Sequence, residues 1–115
     1  MAIRPKISVI IPIYNGASRI KKTIDAILCQ TLKDFEIIIV DDCSSDTTPL
    51  VVKKLHGPKI RYLRNTSRLG PAQSRNKGIR LARGEYIAYC DHDDIFYPRH
   101  LEKMSRILNT HPHIG

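Results

Sequence analysis

Two near-continuous apolar runs constrain this chain more than any other feature: Ile7-Ser8-Val9-Ile10-Ile11-Pro12 and Phe35-Glu36-Ile37-Ile38-Ile39-Val40. A strand with one wet face alternates apolar and polar side chains. A run that fails to alternate is covered on both faces, as in a parallel sheet flanked by helices. Between and after these runs the apolar period lengthens to that of a helix. Ser18 is placed to cap a helix whose stripe is Ile20, Ile24, Ile27 and Leu28. Asp46 is placed to cap a short helix through Pro49, Leu50, Val52 and Leu55, ended by Gly57-Pro58. Ile60-Arg61-Tyr62-Leu63 reads as a third strand, and Pro71 opens a helix that stops at Gly84. Tyr86 to Cys90 reads as the fourth strand. A last helix follows Pro98, with Leu101, Met104, Ile107 and Leu108 on one side. The order βαβαβαβα predicts an α/β fold, a Rossmann-like three-layer α/β/α arrangement with a mainly parallel sheet and right-handed crossovers.

At 115 residues this is one domain or part of one. The ending His111-Pro112-His113-Ile114-Gly115 is abrupt for a complete α/β domain, because Ile114 reads as the start of a further strand. A truncated C-terminus is therefore expected, with sheet edge and apolar surface left to favour homo-oligomers. No apolar run approaches the roughly 20 residues of a membrane span. The basic start Met1-Ala2-Ile3-Arg4-Pro5-Lys6 lacks the apolar region and cleavage site of a signal peptide. Cys29, Cys43 and Cys90 are odd in number and without metal-type spacing, so they read as free thiols of a reducing compartment. A cytoplasmic location is expected, extending to the inner face of the membrane.

The net charge of +8 admits nucleic acid, an anionic membrane or a phosphorylated ligand. The cations are spread in ones and twos, and no aromatic residues interleave with them as stacking platforms, so no nucleic acid is expected. Solvated helix faces account for most of the excess, and peripheral membrane association for the remainder.

In a parallel sheet, ligands bind beyond the carboxyl ends of the strands. Three such ends are chemically loaded: Pro12-Ile13-Tyr14-Asn15-Gly16, Asp41-Asp42-Cys43-Ser44-Ser45-Asp46, and Asp91-His92-Asp93-Asp94. Three carboxylates in the last tetrapeptide repel one another, and nothing in the segment neutralises them. Such oxygen ligands suit a hard divalent cation that keeps positions open for water and phosphate. A solvated acidic turn, or acids in the first turn of the following helix, is the competing reading. Tyr14 offers a ring face to a flat base, or packs half-buried on the first helix. Asp42 offers hydrogen-bond acceptance to an imide or ribose hydroxyl, or caps the turn after it. Arg75 falls on the wheel between Ala72, Ile79 and Ala82, aimed inward, where it meets a phosphate or an ion-pair partner in Asp41 or Asp42. His92, between two carboxylates, is either a metal ligand or a spacer, and alternation of side chains along the segment favours the spacer. Neither GxGxxG nor GxxxxGK[ST] follows the first strand, which removes the dinucleotide-binding and P-loop classes. A phosphohydrolase with an aspartate nucleophile is disfavoured too, because Tyr14-Asn15-Gly16 stands where that acid belongs.

Taken together, several stretches resemble the inverting family 2 glycosyltransferases of the GT-A fold. They are Ile7 to Gly16, Ile27 to Thr31, Phe35 to Ser45, Ala72 to Ile79, Ala82 to Ile87, and Asp91 to Asp94 with Pro98. The resemblance covers nearly the whole chain. It implies a nucleotide-diphosphosugar donor, often UDP-linked, a glycan or lipid-linked acceptor, and a Mn²⁺ or Mg²⁺ ion. By position it implies that Pro12, Tyr14, Asn15, Asp42, Arg75 and Asp91 bind nucleotide: Tyr14 lines the base pocket, Asp42 bonds the base, and Asp91 faces the ribose or sugar. Asp93 is the implied metal ligand of the DxD motif. The family's general base and acceptor elements lie in its C-terminal half, beyond Gly115, so residues 1–115 are expected to be the donor-nucleotide part and inactive alone. The rival expectation is an assembly module that keeps the GT-A fold without the chemistry.

Overall fold

The computed structural model describes residues 5–55, 57–90 and 98–110, with residues 109 and 110 by backbone alone. In chain order the elements are β1 (Ile7–Ile13), α1 (Ile20–Leu28), β2 (Phe35–Asp41), α2 (Thr48–Lys54), β3 (Ile60–Arg64), α3 (Pro71–Leu81), β4 (Tyr86–Tyr89) and α4 (His100–Thr110). The strands form one sheet in the order β3-β2-β1-β4, and every pair is parallel. Every residue of β1 and β2 is buried, as the unbroken apolar runs predict.

The odd-numbered side chains of β1 and β2, among them Ile7, Val9, Ile11, Ile37 and Ile39, build the larger core with α1, Val52 of α2 and Leu101 of α4. Ile10, Ile38 and Val40 point to the other face, where Leu63, Ala82 and Ile87 join them. Topology explains the division. The chain moves outward from β1 to β3 through α1 and α2, then returns across the sheet to β4 through α3. Reversing direction while keeping crossovers right-handed places α3 on the opposite face.

The face that α3 turns to the sheet differs from the predicted one. Ala72 and Ile79 are exposed, and the buried positions are Ser74 and Gly78. A Cβ on Gly78 would lie 2.6 Å from Ile10 Cγ2 and 3.3 Å from Val40 Cγ2. The helix therefore lies too close to the sheet for an aliphatic stripe, and small residues take that side. Two other faces rotate slightly: Thr23 is buried while Leu28 is exposed, and Ser105 is buried while Ile107 is 52% exposed.

The caps differ as well. Ser18 does not cap α1, which begins after Arg19 without a side-chain cap. Asp46 does receive the Thr48 N–H at 2.9 Å, two residues along, so it closes the first turn of α2. α4 is started from a distance: the buried Gln30 accepts the Leu101 N–H at 3.0 Å, and the Thr31 N–H donates to the Pro98 carbonyl at 2.7 Å. The loop after α1 thus fixes where the chain re-enters the core behind β4.

Pro12 lies inside a central strand at no cost in ladder bonds. The Ile10 carbonyl accepts from Cys90 N–H, so Ile10 faces β4, and so does Pro12 two residues on. The β1–β4 register ends at Ile10 and Tyr89, and the missing N–H of Pro12 falls past it. No described helix is long and apolar enough to cross a membrane.

Candidate functional site

Because all four strands run the same way, β1, β2 and β4 end on one edge of the sheet. The loops after β1 and β2 are stitched together there. Asn15 adopts φ 51° and its side-chain oxygen accepts the Ser45 N–H at 2.8 Å and the Asp46 N–H at 3.2 Å. In return the Asn15 N–H donates to Ser44 Oγ at 2.9 Å, and the Gly16 N–H to Thr48 Oγ1 at 3.1 Å. Asn15 tolerates the left-handed region better than most residues. Its amide is committed to holding the two loops in register, while Tyr14, just before it, stays half-buried at the edge.

The two aspartates ending β2 have separate partners. Asp41 is fully buried. Its Oδ1 accepts the Ser44 N–H and hydroxyl at 2.9 and 2.6 Å, and its Oδ2 accepts the Tyr62 hydroxyl at 2.6 Å. Burial and the hydrogen bond to Asp41 raise the Tyr62 phenol, which stays neutral and donating.

Asp42 is the centre of the edge. Its Oδ1 accepts the Leu69 N–H at 2.7 Å and the Asn65 amide at 3.0 Å, and its Oδ2 accepts the Gly70 N–H at 3.0 Å and Arg68 Nε at 3.3 Å. These donors fill the roughly four lone-pair positions of a carboxylate. Burial opposes ionisation, but the Leu69, Asn65, Gly70 and Arg68 donors outweigh it and hold the carboxyl at about 2. All four donors come from the connection between β3 and α3, so Asp42 folds that loop over the sheet edge. Gly70 turns the chain at φ 93°, a region that favours glycine, and α3 starts at the next residue. Cys43, with φ 62°, is a non-glycine residue in the left-handed region directly after Asp42, the kind of local cost that gathers at functional loops.

Arg68 closes the arrangement. Its guanidinium stands 3.5 Å from the centroid of the Tyr14 ring while its Nε reaches Asp42. Sequence reasoning passed over Arg68 because nothing local marks it: its partners lie in the loops after β1 and β2. Asn65 was passed over for the same reason. It is buried, and links Asp42, Ser74 and Lys77 Nζ through bonds of 3.0, 3.1 and 2.8 Å.

Arg75 corrects a prediction. It pairs with neither Asp41 nor Asp42. Arg64 is the arginine nearest Asp41, at 3.8 Å, and Arg68 takes Asp42. Arg75 lies half-buried in α3, without an ion pair among the described residues. Asp91 and Asp93 lie outside the described residues, as do His92 and Asp94. Among the described residues no group of three or more His, Cys, Asp or Glu is placed to hold a metal. The donor set at this edge agrees: Asp41 and Asp42 spend their oxygens on protein donors.

Residues 8–115 match the family described as Glycosyl transferase family 2. An uncharacterized glycosyltransferase of Rickettsia typhi is 41% identical over 91% of this chain, which spans 32% of that relative. The crystal structure of S. aureus TarS in complex with UDP superposes with a TM-score of 0.86 at 29% identity, covering 93% of this chain and 33% of that one. Mannosyltransferase PcManGT from Pyrobaculum calidifontis, in complex with GDP-Man and Mn²⁺, superposes with a TM-score of 0.79 at 29% identity over 92% of this chain. The chain spans about a third of the length of these proteins. A parallel Rossmann-like sheet of the GT-A type, with its loaded edge built from the ends of β1 and β2, belongs to a member of glycosyl transferase family 2.

Proposed function

We propose that this chain binds the nucleotide of a nucleotide-diphosphosugar donor at the edge formed by Tyr14 and Asp42, as the donor part of a metal-dependent, inverting glycosyltransferase. The single observation carrying the reading is the position of Arg68, which covers the Tyr14 ring and fills one Asp42 lone pair at once. Arg68 is exposed and its 3.3 Å bond is the longest of the four at Asp42. Its departure therefore opens a flat aromatic face and a carboxylate acceptor side by side, which suits a base carrying an imide N–H beside its ring face. Uracil has that edge, and UDP is the nucleotide held by the S. aureus relative.

Arg75, on α3, is the cation proposed for the diphosphate, and Pro12 and Asn15 shape the floor of the base pocket. Asp91 takes the ribose or sugar side. Asp93 would hold a Mn²⁺ or Mg²⁺ ion, which when bound supplies positive charge to a departing diphosphate without a proton transfer. In transfer with inversion, an acceptor hydroxyl forms the new bond to the anomeric carbon as the bond to the diphosphate oxygen breaks on the opposite face. A general base, proposed to lie beyond Gly115, takes the hydroxyl proton.

The location of the site is tested by amide NMR of the ¹⁵N-labelled chain titrated with UDP and Mg²⁺. Shifts concentrated at residues 13–16, 41–46, 65–70 and 72–75 are expected. A folded chain whose shifts fall elsewhere, or which shows none, would move the reading to an assembly module that keeps the fold without donor binding.

A further inference from the structure

What holds the Asp42 carboxylate decides what it can read. Its Oδ1 is filled from inside the fold, by the Leu69 N–H at 2.7 Å and the Asn65 amide at 3.0 Å. Its Oδ2 keeps the Gly70 N–H at 3.0 Å, and exposed Arg68 holds the remaining place. Only that last place can open to a ligand without unmaking the loop. Among the three inner donors Asn65 is the one side chain, and it serves only one way round. Turned over, its amide would set an oxygen against the carboxylate. Lys77 opposes that turn, because an ammonium has donors alone and its Nζ stands 2.8 Å from Asn65 Oδ1. Ser74 Oγ takes the second amide hydrogen at 3.1 Å. The buried amide thus has both hydrogens and its oxygen matched. Ser74 and Lys77 are three residues apart on one flank of α3. The helix lies close enough to grip Asn65 because Gly78 sends no side chain toward Ile10.

We infer that Asn65, locked by Lys77, is a positioning residue of the donor site, and that the pair makes Asp42 selective for a base with an imide N–H. The inference rests on the donor reading of the Tyr14 and Asp42 edge. Uracil brings its N3–H to a carboxylate lone pair. Cytosine brings a lone pair of its own at the same ring position, and a carboxylate can only accept. The difference persists only while the carboxylate cannot turn. Without Lys77 the Asn65 amide is free to turn over, and Oδ1 then loses a donor. The loosened carboxylate can swing to accept from the exocyclic amino group of cytosine instead. Asn65 is buried and acts on the base through Asp42, and Lys77 acts through Asn65. A network that only braced the loop would change stability and leave the preference between bases alone.

Calorimetric titration with UDP and with CDP in Mg²⁺ compares the parent chain with Lys77→Met and Arg80→Met. The two nucleotides carry the same diphosphate, so the ratio of their affinities is blind to the loss of a positive charge. Arg80→Met removes an exposed cation from the next turn of α3 as a control. Lys77 is half-buried and its replacement leaves the buried amide in place, and circular dichroism checks that each variant is folded. The parent is expected to bind UDP at least about tenfold tighter than CDP. Lys77→Met is expected to weaken UDP binding by about tenfold and to bring the two nucleotides within about threefold of each other, while Arg80→Met keeps the preference of the parent. Asn65→Ala, where it folds, should shift the ratio in the same direction as Lys77→Met. A parent that binds UDP and CDP alike, a Lys77→Met chain with the preference intact, or an equal loss of preference in Arg80→Met would overturn the inference and leave donor binding standing. A folded parent that binds neither nucleotide would overturn the donor reading, and the inference with it.

Discussion

Arg68 stands over the Tyr14 ring, its guanidinium 3.5 Å from the centroid, and the same side chain reaches Asp42. One exposed residue thereby covers two surfaces proposed to receive a base. A cation–π contact at an exposed site is worth only about 0.5–1 kcal/mol, so a base that stacks on Tyr14 can displace it. The prediction is that UDP shifts the side-chain Nε–H resonance of Arg68 in a titration followed by NMR, and that Arg68→Ala does not weaken UDP binding. An Arg68 resonance indifferent to UDP, or an affinity that collapses on removing the guanidinium, would show that Arg68 does not stand in the way.

Asp42 makes the stability of the chain depend on pH. Its folded pKa of about 2 lies below the ordinary 3.8, so ionisation favours the folded state. That contribution is complete above about pH 4 and is lost as pH falls toward 2. The size is on the order of 2 kcal/mol. Glu36 adds in the same direction: despite burial, the Ser8 hydroxyl, the Arg83 N–H and Arg61 hold it below its usual range. Asp42→Asn removes the Asp42 contribution and turns an amide donor toward the Leu69 or Gly70 N–H. Urea unfolding at pH 6 and pH 2.5 should show a drop in stability smaller in the variant by about 1–2 kcal/mol. The same drop in both proteins would mean that the Asp42 contacts do not set the acid limb.

Gly84 carries a steric prediction at the opposite edge of the sheet. A Cβ there would lie 2.5 Å from the Ser8 backbone nitrogen and 2.8 Å from the Ile7 carbonyl carbon. Backbone in a central strand cannot step aside as a side chain can, so Gly84→Ala has to push β4 away from β1. A loss of about 1–3 kcal/mol is expected in thermal or urea unfolding. Because Gly84 N–H donates to Ser8 Oγ, far from Asp42, UDP affinity of the fraction that folds should be unchanged. A variant as stable as the parent would mean the β1–β4 approach is looser than described.

These residues also show what a sequence makes legible. Unbroken runs such as Ile37-Ile38-Ile39-Val40 can be satisfied only between two layers, so the parallel sheet follows from them directly. The face of α3 did not follow from periodicity. Apolar counting selects Ala72 and Ile79, whereas close approach to Ile10 selects Ser74 and Gly78, and only the separation of the layers decides between them. At the site, Tyr14 and Asp42 were marked by their places at strand ends. Arg68 and Asn65 were not, because a loop that folds back over an edge gains its contacts from residues more than twenty positions away. The tetrapeptide Asp91-His92-Asp93-Asp94 by itself suggests a divalent cation, and the separate roles expected of Asp91 and Asp93 rest on the resemblance alone.

The most direct test of the donor-binding account is calorimetric titration of the chain with UDP, in Mn²⁺ and in EDTA, beside Asp93→Ala. Binding in Mn²⁺ that weakens at least tenfold in EDTA and to the same degree in Asp93→Ala is the predicted result, since the ion and its ligand would act as one unit. A folded chain that binds no nucleoside diphosphate, or binds UDP equally with and without metal and in the variant, would contradict the account.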